Sequence, residues 1–146
     1  MSAKLHAAAG TVALLTIVTF WTSTVIVETT GTHEQVASAK MAILYGMILL
    51  IPAMATAGAS GAKLGKRMKL PVVAEKSRRM KLIAGNGLLV LLPSAVFLAL
   101  RAQAGMFDSL FYTVQALELL AGATNITLLS LNLRDGLTLS RRRACG

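Results

Sequence analysis

Apolar residues gather in four blocks along the chain, about 5–27, 39–60, 82–101 and 107–133, separated by stretches richer in polar and charged residues. A helix rises 1.5 Å per residue, so about 20 residues cross roughly 30 Å of hydrocarbon, and each block is long enough. The pattern predicts four transmembrane helices. The fourth block, FDSLFYTVQALELLAGATNITLLSLNL, also carries polar residues at regular spacing. On a helix Asp108, Gln115 and Gly122 recur at sevens, as do Glu118, Asn125 and Asn132. The two sets interleave at three and four and so share one face. An acid in hydrocarbon costs roughly 2.5 kcal/mol or more. This seam, with Glu118 roughly 16 Å into its helix, is therefore expected to face other helices or a cavity.

The other blocks are read from their own punctuation. The first is rich in Thr and Ser, and Phe20 and Trp21 lie in its outer half, where aromatics can sit near headgroups. Its apolar run is too long for a signal peptide, so a retained helix is expected. Residues 28–38, ETTGTHEQVAS, read as a short polar loop, with Lys40 at the edge of the next block. The second block contains Pro52, and Ala57, Gly61 and Gly65 recur at fours, a spacing that permits close helix contact. Residues 61–81 read as a basic loop. The third block has Asn86 between Gly85 and Gly87, and Pro93 near its middle. Gly105 marks the turn into the fourth. Arg134-Asp135-Gly136 reads as a helix end.

Composition agrees with this pattern. The 146 residues are 55% hydrophobic and 14% charged, and the mean hydropathy is +0.66. Soluble domains carry roughly 25% charge, so there is too little here to coat one. The fold expected is all-α, a polytopic membrane protein forming one domain over residues 1–146, an antiparallel bundle of four transmembrane helices. The net charge of +9 sits mainly in loop 61–81 and the tail, beside apolar blocks, which indicates topology rather than nucleic-acid binding. Both termini are then cytoplasmic, in the inner membrane if the source is a bacterium. The basic loop would meet anionic lipid headgroups. Lys4-Leu5-His6-Ala7-x-x-Gly10 is echoed by Lys81-Leu82-Ile83-Ala84-x-x-Gly87, and each is followed by a Leu pair at the same offset. This raises a tandem duplication of a helical hairpin.

Two residues lead the candidate chemistry. Glu118 is a candidate for proton exchange or ligand contact, or alternatively a lock between helices. His6, one turn inside the first helix with Gly10 at i+4, has a spacing that can hold haem iron and clear room for the ring. The other histidine, His33, lies in the opposite loop. A single haem would therefore need Met54 or Met80, at comparable depth, or a residue from a second subunit. Met in an apolar helix is ordinarily core filler. Asn86 could line a quinone pocket or mark a close crossing. His33 with Glu28 and Glu34 matches no strong metal motif. The single cysteine, Cys145, has no intrachain disulfide partner, and the ending Ala-Cys-Gly is not a prenylation signal. No Walker loop, paired-cysteine motif, HExxH or GxSxG occurs, and the balance is against an enzyme.

Through KLHAAAG, ILYGM, RRMKLIAGNGLLVL and FYTVQALELLAGATN the chain resembles small, uncharacterised bacterial four-helix integral membrane proteins. The opening Leu5-His6-x-x-x-Gly10 is similar to the first helix of some membrane cytochrome b-like proteins, without their second histidine on the same side. That resemblance implies haem b or a quinone held through His6 and the interior polar face. Three functions follow as expectations. The first is a redox-associated membrane protein. The second is a small proton-coupled transporter working through Glu118, with a homodimer supplying walls. The third is an accessory subunit of a larger membrane complex.

Overall fold

The computed structural model describes residues 3–66 and 70–144. Arg67 and Lys69 of the expected basic loop, and Cys145, lie outside them. The described residues are helical apart from short turns: α1 (Ala3–Thr30), α2 (His33–Gly65), α3 (Pro71–Asn86), a π-helical turn (Gly87–Leu91), α4 (Leu92–Gln103) and α5 (Ser109–Ala144). Since α3, the π turn and α4 run on as one helix, four helices are long and apolar enough to cross a membrane, of 28, 33, 33 and 33 residues.

The helices are longer than the apolar blocks, and the turns shorter. The expected loop 28–38 shrinks to Gly31 and Thr32. Thr32 and Gln35 form a capping box: the Gln35 amide donates to Thr32 Oγ1 at 3.3 Å, and the Thr32 amide to Gln35 Oε1 at 2.9 Å. That box starts α2 at His33, so Lys40 lies in the helix rather than at a loop edge. A Cβ on Gly31 would stand 2.6 Å from the Val27 carbonyl oxygen, so only glycine makes this tight link. Most of the expected basic loop 61–81 is helical too. Pro71 opens α3 at a position where a missing N–H costs nothing. Pro93 cannot donate back along its own helix, and the Leu92 amide reaches five residues to the Gly87 carbonyl, which makes the π turn. At the end of α4, Gly105 (φ +69°) supplies the left-handed residue. The Met106 amide then closes on Arg101 O at 2.9 Å.

Helix α1 packs on α2 and α5, α2 also on α3 and α4, and α5 on α3 and α4. Contacts pair the first turns of α1 with the last turns of α2, as His6 with Ala57. Two apolar clusters form the core. One is built on Ile17, Ile83, Leu91, Ala121 and Leu129, the other on Val36, Leu98, Ala102 and Phe111. Phe20 and Trp21, expected near headgroups, instead fill glycine notches between helices. A Cβ on Gly46 would lie 2.4 Å from Phe20 Cζ, and one on Gly122 would lie 2.9 Å from Trp21 Cδ1. Trp21 Nε1 donates to the Leu119 carbonyl at 2.9 Å, which ties α1 to α5. Gly46→Ala is expected to destabilise the fold by about 1–3 kcal/mol through overpacking. Adding Phe20→Leu should recover most of that loss in detergent-micelle unfolding.

Candidate functional site

Along α5 the two apolar clusters are separated by a polar layer. Gln115 and Glu118, one turn apart, face the same side. From α2, Lys40 meets them. Val36, Lys40, Ile43 and Leu50 are all buried, at spacings of four, three and seven, so Lys40 points inward with the core residues. Its Nζ donates to Glu118 Oε2 at 2.8 Å, and Gln115 Nε2 donates to the same oxygen at 3.0 Å. Lys40 is 1% exposed and Glu118 12%. An ammonium so buried is tolerable only with its partner in place. Glu28, near the end of α1, lies within electrostatic reach of Lys40, Glu118 and His33. Its Oε1 is buried without a hydrogen-bond partner among the described residues, as is Gln115 Oε1. One ammonium thus stands among two carboxylates and hydrogen-bonds one of them.

Beside this layer is a small, partly open pocket of about 40 Å³. Ile17, Phe20, Trp21, Ile43, Met47 and Leu119 supply apolar wall, and Glu118 is the one charged group in its lining. Glu118 thus sets a carboxylate at the edge of an otherwise uncharged pocket.

The rest of the expected seam divides. Gln115, Asn125 and Asn132 are 4%, 2% and 5% exposed. Gly122 receives Trp21. Asp108 departs from the expected intramembrane position: it precedes α5 and caps it. Its Oδ1 accepts from the Phe111 amide at 3.0 Å, and its other oxygen pairs with Arg101. The Phe111 amide, with Arg101 beside it, holds the Asp108 carboxyl below the usual carboxylate range. Because the folded value is depressed, this stabilisation is present above the unfolded value and is lost as pH falls through the folded one.

Asn86 and Asn125 clamp α3 to α5. Asn86 Nδ2 donates to Asn125 Oδ1 at 2.8 Å and to Ala121 O at 2.9 Å, while Asn125 Nδ2 donates to Ile83 O at 3.3 Å. With its amide N–H groups engaged this way, Asn86 acts as a helix clasp. His6 Nδ1 lies 3.0 Å from Ala57 O and 3.1 Å from Ser60 Oγ. Its ring covers Gly61, with Cε1 3.0 Å from where a Cβ would stand. Met54 and Met80 pack against the Ile17–Leu91 cluster, and Met80 Cε reaches Gly58. His6 and Met80 therefore both press onto the glycine-rich strip of α2. Gly10 has open space about it: a Cβ there would meet nothing within 4 Å. Among the described residues no three His, Cys, Asp or Glu side chains come together as a metal site. His33 instead stacks on Phe107, with ring centroids 4.0 Å apart.

Lys40 is the site residue that the sequence reading left at the edge of an apolar block. The signal was available in the spacing Val36–Lys40–Ile43, which puts the lysine on an apolar helical face. No protein family, curated protein or solved structure matches this chain.

Proposed function

We propose that the chain is a four-span integral membrane protein, an antiparallel bundle with both termini cytoplasmic. In this reading it exchanges protons for a small lipophilic cation at Glu118. The observation that carries the reading is that Glu118 is both the charged group lining the pocket and the partner of the buried Lys40. A carboxylate in such surroundings must hold a cation: an ammonium, a proton or a charged ligand. Lys40 has a second carboxylate within reach in Glu28, whose Oε1 lacks a partner. When Lys40 turns to Glu28, Glu118 is free to take either a proton or the ligand. It cannot take both, and that exclusion couples the two movements. The basic residues after Gly61 and after Asp135 support the cytoplasmic placement of the ends.

Liposomes carrying the protein and an imposed pH gradient test this, with tetraphenylphosphonium as the probe. Uptake driven by the gradient is expected, and Glu118→Gln should reduce it to the protein-free rate. Uptake that survives Glu118→Gln, or none with the unaltered protein, refutes the reading. The flat Trp21 and Phe20 rings beside the pocket favour a quinone as the second reading. Quinone recovered by organic extraction of the purified protein, together with no cation uptake, would select it.

A further inference from the structure

A second polar group lies away from the pocket, where α3 packs on the last turns of α5. Lys76 of α3 reaches across α5, and its Nζ is 3.1 Å from where a Cβ on Gly136 would stand. The ammonium is half-buried, within electrostatic reach of His6 and Asp135. Asp135 is already taken: Arg79 Nη1 donates to its Oδ2 at 2.6 Å, and Arg134 lies 3.7 Å from its other oxygen. Glu75, the nearby acid on α3, is 3.5 Å from Arg79. The positive charge of Lys76 is thus left over once the neighbouring charges have paired.

One turn before Gly136, on the same face of α5, is Asn132. It is 5% exposed, and neither Nδ2 nor Oδ1 has a hydrogen-bond partner among the described residues. Native proteins rarely bury an amide with both ends unmet. Here the unmet donor and acceptor sit a turn from the uncompensated ammonium. That set matches an oxyanion that also carries a hydroxyl. We propose that Lys76 and Asn132 form a seat for such an oxyanion, a lipid phosphate headgroup or free phosphate. The Lys76 ammonium and Asn132 Nδ2 donate to the anion's oxygens, and Asn132 Oδ1 accepts from its hydroxyl. Gly136 provides the space that lets Lys76 lie against α5. The seat is separate from the Glu118 pocket and does not depend on what that pocket carries.

The test uses the whole chain in dodecyl maltoside micelles. Native mass spectrometry follows binding of dioleoylphosphatidylglycerol, with dioleoylphosphatidylcholine as the zwitterionic control. The side-chain amide resonance of Asn132 is followed during addition of the same lipids and of inorganic phosphate. One phosphatidylglycerol should bind preferentially, at least about tenfold more weakly in Lys76→Gln and in Asn132→Leu. Asn132→Asp, which sets a carboxylate against the anion, should abolish it. The exposed Lys81→Gln should change nothing. A response to inorganic phosphate without one to the lipid assigns the seat to the free anion. The proposal fails if neither probe moves the Asn132 resonance. It also fails if Lys81→Gln weakens binding as much as Lys76→Gln, since the attraction would then be diffuse.

Discussion

Lys40→Met is expected to destabilise the fold by about 3–5 kcal/mol, measured by denaturing-detergent titration of the purified protein. The loss does not come from the lysine's own attraction, which its desolvation largely offsets. It comes from Glu118, left as a carboxylate between two apolar clusters with only the Gln115 amide beside it. Glu118→Leu alone should cost a similar amount, because it strands an ammonium that is 1% exposed. The double variant Lys40→Met, Glu118→Leu should return to within about 1–2 kcal/mol of the parent, since apolar side chains of similar volume can replace a buried ion pair. Glu28 remains in that variant, but it is only half-buried near the helix end and can reach water. A double variant as unstable as the singles would show that the pair is not an isolated unit. The same protein should lose cation uptake while keeping its fold, which separates function from stability.

The second large effect belongs to Phe111. Its ring is fully buried with Val36, Leu98 and Ala102, and meets the Phe107 and Tyr112 rings edge-on at 5.0 and 5.3 Å. Phe111→Ala is expected to cost about 3–5 kcal/mol through lost contacts and the cavity left behind. Phe111→Leu, closer in volume, should cost less than about 1.5 kcal/mol. Hydrogen exchange should locate the damage at the start of α5, where the Phe111 amide also closes the Asp108 cap. A loss below about 1 kcal/mol for Phe111→Ala would mean that this end of the bundle is loosely packed.

Asp108 and Lys40 define how far the spacing of residues can be trusted. Asp108 keeps the same sevenfold register as Gln115 and Gly122, yet it stands one residue before the helix. Periodicity reports a face but not where the helix begins, and an aspartate three residues before an amide that needs an acceptor is a cap. Lys40 is the opposite case. Charge at the edge of an apolar block suggests an end, but the capping box at Thr32 and Gln35 starts the helix earlier and carries the lysine inside. Trp21 and Phe20 show a third limit: an aromatic in the outer half of an apolar helix suits headgroups as well as it suits a glycine notch. Only the positions of Gly46 and Gly122 on neighbouring helices decide between them.

The sequence by itself determined four long apolar helices, the turn at Gly105 and the inward face of α5 at Gln115, Asn125 and Asn132. These are local properties: length, hydropathy, the backbone freedom of glycine, and a 3.6-residue period. The tertiary structure alone decided that the Glu118 carboxylate meets an ammonium 78 residues away, that His6 lies against Ala57 and Ser60, and that Asn132 is buried unmet near Lys76. The physical reason is the apolar character of both sides of such helices. Where a helix is apolar on several faces, hydropathy cannot say which of them meets another helix. Partners are then chosen by glycine notches, aromatic fit and the few polar groups that must find one another.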